Sequence, residues 1–272
     1  MEILEYRGVE GLVAAEILTD DNEQDGGYVT DTPFAVAGVA EISRATESNS
    51  EAHYYDNIPA IVVSNVAADT VTISASAIPL DVLGKITGQT YDPATGALVE
   101  ETREVKYFAI GYKTKKTNGD EMYVWRYKGT FAIPDQTNTT ENDTTDANGQ
   151  EIVFTGISTT HKFAKTGKGA KALVVDVAKE LADVSTFFTT VTTPDTLAAA
   201  TQRTVTISAA AGTTVTVLKN GAIPVANNGK VNDGDRLTIS VTGGTVTVNS
   251  SAFISGDIHI VTGNVAIVST AG

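Results

Sequence analysis

The sequence predicts a mainly β protein built in two parts, with helix confined to the first. Three observations predict it. Short runs rich in Val, Ile and Thr alternate with polar residues. Turn dipeptides separate those runs, among them Asn118-Gly119, Asn220-Gly221, Asp233-Gly234 and Gly243-Gly244. Composition also changes abruptly near residue 200, past which Thr, Val, Ala, Ser and Gly dominate and Phe253 is the one aromatic residue.

Charge marks the same boundary. Of 33 acidic and 19 basic side chains, only Asp233, Asp235, Asp257, Arg203, Lys219, Lys230 and Arg236 lie beyond residue 195. The first part therefore carries a net −15 and the second +1. We read residues 1–195 as one domain, 196–202 as a linker and 203–272 as a second domain. A hydrophobic content of 42% with 19% charged residues is that of a folded chain.

In the first domain, IPLDVLGKITG (78–88) predicts a short helix. Pro79 suits a first helical position and Gly88 a left-handed C-terminal stop. Leu80, Leu83 and the Ile86–Thr87 pair would form its buried stripe. The stretch from 171 to 191 reads as a strand followed by a helix from about Asp183, ending at Phe187 and Phe188. The polar stretch 134–150 reads as a long mobile loop.

The hairpin about Asn118-Gly119 is the best-defined element. A two-residue turn there places Tyr112 opposite Trp125, Ile110 opposite Tyr127 and Thr114 opposite Tyr123. These residues form an aromatic core face. Lys113, Lys115, Arg126 and Lys128 then share the other face as a basic stripe, suited to acidic groups on a neighbouring subunit.

In the second domain, strands are expected at 203–208, 213–218, 236–242, 245–249, 257–261 and 264–269. A turn at Gly243-Gly244 would pair Val241 with Val246 and Ile239 with Val248 on one apolar face. The other face would carry Thr242, Thr245, Ser240 and Thr247. The expected architecture is a small immunoglobulin-like β-sandwich without the Cys pair and Trp of antibody domains.

Little in the chain suggests chemistry. It has no cysteine, and its histidines are the scattered His53, His161 and His259. Strong acidity argues against binding nucleic acid by phosphate neutralisation. The segment MEILEYRGVEGL has neither the basic start nor the apolar run of a signal peptide, and no apolar run reaches membrane-spanning length. Asp21, Glu23, Asp25 and Gly26 follow calcium-loop spacing, but Thr32 stands where the bidentate Glu belongs. Asp233-Gly-Asp235 is explained as turn chemistry. KTGKGAK (165–171) fits no phosphate-loop pattern. No serine lies in a nucleophile-elbow setting. Neither enzyme, metal nor cofactor is expected.

Several stretches resemble the major tail tube proteins of long-tailed, non-contractile bacteriophages of Gram-positive hosts. They are TPFAVAGVAEIS (32–43), EAHYYDNIPA (51–60), the run 68–100, YFAIGYKTKKTNGDEMYVWRYKGTFAIP (107–134) and DVSTFFTTV (183–191). The resemblance implies a β-sandwich or barrel with a flanking helix, assembled as hexameric rings that stack into a tube. It implies a virion location, partnership with tape measure, terminator and distal tail proteins, and passage of DNA without specific binding. An acidic wall suits that passage. The second domain would decorate the outside and could touch host-surface carbohydrate. Ring contacts are expected from 43–57, with Tyr54, Tyr55, Asp56 and Asn57, and from 134–150. The rival reading is a bacterial cell-surface adhesin or carbohydrate-binding β module.

Overall fold

The computed structural model describes residues 3–22, 27–55, 57–136 and 149–272. The protein is mainly β, with a single α-helix among the described residues. The chain divides into two units: 1–179 with 184–197, and 180–183 with 198–272.

The first unit is built on a nine-stranded sheet. Its strands are β1 (Tyr6–Asp20), β2 (Tyr28–Thr30), β3 (Phe34–Ala35), β4 (Val39–Tyr55) and β5 (Ile58–Ala75). After helix α1 (Leu80–Thr87) and a small separate hairpin, β6 (Thr90–Asp92) and β7 (Ala97–Val99), come β8 (Phe108–Lys116), β9 (Glu121–Phe131), β10 (Gln150–Ile157) and β11 (Ala172–Asp176). The main path runs β2-β1-β8-β9-β10-β5-β4, with β3 on β1 and β11 on β9. One face buries Leu12, Ile73, Phe108, Ile110, Phe131 and Phe154 beneath the helix residue Ile86. Phe131 stacks edge-on against Phe154 and tilts against Phe108.

The helix ends as its sequence requires. Gly88 adopts φ 71°, the left-handed geometry that stops a helix. A Cβ there would lie 1.8 Å from the Glu104 carbonyl oxygen, so glycine is required by space as well as by torsion. Pro79 is the N-cap rather than the first helical residue. Ile86 and Thr87 are buried as expected, whereas Leu80 is 49% exposed. The helix is only eight residues long and turns its C-terminal half toward the sheet. The expected second helix is absent among the described residues. Residues 184–191 form successive turns, closed by Phe187 N–H to the Val184 carbonyl and Thr189 N–H to the Thr186 carbonyl. That shape lets the Phe187 carbonyl accept the indole N–H of Trp125 at 2.7 Å, a tertiary bond that periodicity does not reveal.

The β8–β9 hairpin differs from expectation by one residue. Tyr112 faces Val124, Gly111 faces Trp125, Lys113 faces Tyr123 and Thr114 faces Met122. The loop holds three residues, with Gly119 at φ 92° and Lys116 N–H bonded to the Asp120 carbonyl. Three-residue loops of this kind carry a left-handed glycine and shift the pairing by one. A one-residue slip exchanges the faces. Ile110 and Tyr112 therefore join the inner core. Tyr123, Trp125 and Tyr127 point the other way, onto Phe187, Phe188, Phe163 and Tyr28. The aromatic residues form two clusters, not one face.

The second unit is a two-sheet sandwich. Its strands are β12 (Gln202–Ser208), β13 (Thr214–Lys219), β14 (Ile223–Pro224), β15 (Gly229–Asn232), β16 (Arg236–Thr242), β17 (Gly244–Val248), β18 (Ser251–Phe253), β19 (Ile258–Ile260) and β20 (Val265–Ala271). One sheet has the order β15-β12-β20-β17-β18 and the other β14-β13-β16-β19. β12 and β20 run parallel. Val205, Val246 and Ile267 of one sheet meet Val217, Leu237 and Ile239 of the other in a common core.

The expected pairing of Val241 with Val246 does not occur, because β16 and β17 belong to different sheets. The Gly243-Gly244 step crosses between them. A Cβ on Gly244 would lie 2.0 Å from the Thr270 carbonyl oxygen. Alternation shows which residues face inward. It does not show whether the next strand pairs beside its predecessor or crosses the core.

Trp125 is the single tryptophan and is fully buried in the first unit, so its fluorescence reports on that unit. Gly88→Ala should lower the unfolding free energy of the first unit by at least about 2 kcal/mol, from left-handed strain plus the clash. Gly119→Ala, which meets nothing within 4 Å, should cost only about 1–2 kcal/mol. Urea titrations followed by Trp125 emission check both values; equal losses would contradict the steric account.

Candidate assembly site

Strands β4 and β5 are far longer than their neighbours require. β10 covers β5 only from Asp69 to Ala75. Beyond that point β4 and β5 pair with each other alone among the described residues, from Ser48 opposite Val66 to Tyr55 opposite Ile58. Eight paired residues at about 3.3 Å each make an arm roughly 25 Å long. Most of 43–57, expected to make ring contacts, is therefore strand, from Ser43 to Tyr55.

The arm displays what a folded body hides. Tyr54, Tyr55, Ile58 and Ile61 are 66, 61, 65 and 52% exposed. Asn57 closes the turn at φ 63°, a conformation that asparagine tolerates better than most residues. Asp56 lies outside the described residues. A two-stranded ribbon with both faces in water is marginal by itself.

The root of the arm is held by charge. Asp69 is 3% exposed on β5, on the same side as Val71, Ile73 and Ala75. Its carboxylate accepts hydrogen bonds from Thr46 Oγ1 of β4 (3.0 Å), Arg126 Nη1 of β9 (2.9 Å) and Lys171 Nζ just before β11 (3.1 Å). Arg44 Nη1 lies 3.8 Å away. Lys171 also donates to the Ala67 carbonyl. Burial works against the Asp69 carboxylate, but the bonds from Lys171 and Thr46 and the charges of Lys171 and Arg126 hold its pKa below the ordinary value. One buried anion thus ties four chain segments together where the arm leaves the sheet.

A second carboxylate acts in the same way at the far end of β1. Asp20 accepts from Lys128 Nζ and from the backbone N–H groups of Thr160 and His161, at 2.9 and 2.8 Å. Desolvation opposes its charge, yet these donors keep its pKa lowered.

Arg44 and Arg126 also line a cavity of about 650 Å³ bordered by β1, β4, β8, β9 and β11. Tyr112, Met122, Val124 and Val174 form its apolar wall, and Glu41 is the one acid lining it. Thr114 Oγ1, on the same wall, is buried without a hydrogen-bond partner. The flanking strands are β1 and β4. β4 ends the sheet path, and β1 from Tyr6 to Leu12 pairs only with β8 among the described residues. The cavity is thus an open mouth between two sheet edges.

The expected basic stripe is not a single surface. Arg126 is 7% exposed and shares the inner side with Tyr112, whose hydroxyl lies 3.4 Å from its Nε. Lys113 sits over the rings of Tyr123 and Phe188 on the outer side. Lys115 pairs with Glu10 and Glu121, and Lys128 with Asp20. All four cations are partnered within their own chain, because the register shift and the β8–β9 bulge near Phe108–Ile110 separate them.

Sequence reasoning singled out Tyr54, Tyr55 and Asn57, which the structure brings together at the arm tip. It missed Asp69, Lys171, Arg44 and Thr46. A signal for Asp69 was present: a lone acid in period two with Val71 and Ile73 occupies an inward position of a buried strand. The segment 134–150 lies mostly outside the described residues, as do Glu23, Asp25 and Gly26 of the calcium-like spacing. Among the described residues no group of three or more His, Asp or Glu could hold a metal. Asp233 instead grips Arg203 with both oxygens, at 2.7 and 2.8 Å. No helix among the described residues is long and apolar enough to cross a membrane.

No family model matches this chain, and no curated protein is similar to it.

Asp69→Asn should destabilise the first unit by about 3–5 kcal/mol, since it leaves buried cations without their anion. The sign with pH follows from the lowered pKa of Asp69. Its contribution is complete above the ordinary carboxylate value and is lost as pH falls through the lower folded-state value. The stability of the wild type, read from Trp125, should therefore fall more steeply in acid than that of Asp69→Asn. Parallel acid profiles would remove Asp69 as the anchor.

Proposed function

We propose that this chain is a structural subunit of a phage tail tube. Copies join into hexameric rings through open sheet edges, and the rings stack through the arm. The observation that carries this reading is the arm itself: a ribbon with no further strand beside it among the described residues, which presents two tyrosines and two isoleucines to water. Such a surface is costly in a monomer and favourable once a neighbour covers it, since aromatic side chains dominate the energetics of interfaces. The long edges of β4 and of β1 are likewise templates for pairing unless another chain occupies them. Ring closure removes edges altogether.

The net charge of −14 supports the conduit role. A tube that passes DNA works best when its wall does not hold phosphate, and an acidic wall repels the polyanion. The second unit, close to neutral and rich in Thr and Ser, has no such requirement and would sit outside the tube. In the virion the tube would meet the tape measure, terminator and distal tail proteins.

Negative-stain microscopy of the purified protein tests the proposal, with rings or hollow tubes of uniform width as the expected result. Tyr54→Ala combined with Tyr55→Ala should keep the Trp125 emission of the folded unit while lowering the sedimentable fraction on the order of tenfold or more. A wild type that stays monomeric at high concentration, or a double variant that makes tubes of normal length, would overturn it.

A further inference from the structure

We infer that the mouth between β1 and β4 is the receptor for the arm tip of another copy of this chain. The inference rests on the assembly reading above and specifies which surface the arm meets. Its first support is that both surfaces are incomplete alone. The tip offers Tyr54, Tyr55, Ile58 and Ile61 to water. The mouth offers an apolar wall and about 650 Å³ of space, within the roughly 300–1,000 Å³ range of pockets that enclose a ligand.

The second support is polarity. Two arginines, Arg44 and Arg126, line the mouth against the single acid Glu41. The arm carries Glu51, which is exposed, and no lysine or arginine from Thr46 to Ala68. Arg126 is already held by Asp69, but the Arg44 side chain is 53% exposed, and an arm bearing Glu51 opposite this cation is complementary in charge, which sets register and partner choice. Thr114 Oγ1 adds a buried hydroxyl that lacks a partner, and a tyrosine hydroxyl both donates and accepts.

The third support excludes the chain's own arm. Arg44 forms part of the mouth, and Tyr54 lies ten residues further along the same strand. At about 3.3 Å per residue that is roughly 30 Å away, pointing outward. The tip that fills a mouth therefore belongs to a different copy. Because tip and mouth are different surfaces of one chain, the contact is head-to-tail. Repetition then propagates it rather than closing a dimer.

The chain has no cysteine, so engineered thiols report without background. Ala60, beside the tip, is exposed, and Val174 is 52% exposed, so replacing them leaves the core and the tip aromatics intact. The test mixes tagged Ala60→Cys with untagged Val174→Cys after assembly conditions, oxidises, and separates the products without reductant. A tagged heterodimer is expected, on the order of tenfold or more above a mixture of Ala60→Cys with Thr95→Cys, because docking raises the effective concentration of the two thiols. The double variant Ala60→Cys, Val174→Cys should give a ladder extending beyond dimers. Loss of sedimentation by Val174→Cys alone, with Trp125 emission unchanged, would also support the mouth as the receptor. Mixtures that sediment as wild type but yield no heterodimer above the control overturn the inference and leave the assembly reading standing. A wild type that never assembles overturns both.

Discussion

The buried carboxylate of Asp69 is the interaction on which the first unit depends. It receives Thr46 from the outgoing strand of the arm, Arg126 from the central hairpin and Lys171 from the approach to β11. A projecting ribbon acts as a lever, and a lever needs a fixed root. Apolar packing holds the sheet below this point through Val71 and Ile73. Directional charge-assisted bonds, which are short and geometrically specific, fix the angle at which β4 and β5 leave it. A buried ion cluster contributes less net stability than hydrophobic side chains of similar size would, but removing any one partner is expensive. Here that cost enforces one geometry.

The same cluster joins the arm to the mouth. Arg126 is at once a ligand of Asp69 and a residue lining the cavity, and Arg44 approaches both. A group that enters the mouth meets cations already positioned by the arm's own root. Binding at one surface is therefore mechanically close to the other. In a head-to-tail assembly, that proximity offers a physical route by which an occupied mouth steadies the arm that must find the next one.

Both edge strands are interrupted in register. β1 is broken by bulges on either side of Val9 and Glu10, with Gly8 and Gly11 at positive φ. Bulges of this kind twist an edge away from casual pairing. β4 stays paired with β5 along its length, with register shifts between Val39 and Glu41, Thr46 and Ser48, and His53 and Tyr54. Glycine at positive φ is the device on β1, and interrupted register is common to both edges.

What the sequence determined by itself was local. Alternation located most strands of the second unit to within a residue or two, and Gly88 marked the helix stop, because both follow from torsion and from the two-residue period of a strand. Tyr54 and Tyr55 stood out as amphipathic residues in polar surroundings. Partnership was decided only in three dimensions. Asn118-Gly119 announced a turn, yet the three-residue loop around Gly119 shifted the register and split the aromatic and basic faces. The two glycines at 243 and 244 announced another, yet the chain crossed between sheets there. The Asp69 cluster joins residues more than a hundred positions apart, which no local pattern encodes. Periodicity records which side chains face inward. Which strand lies beside which is set by loop closure and by the pairing of buried charges, and both belong to the assembled core.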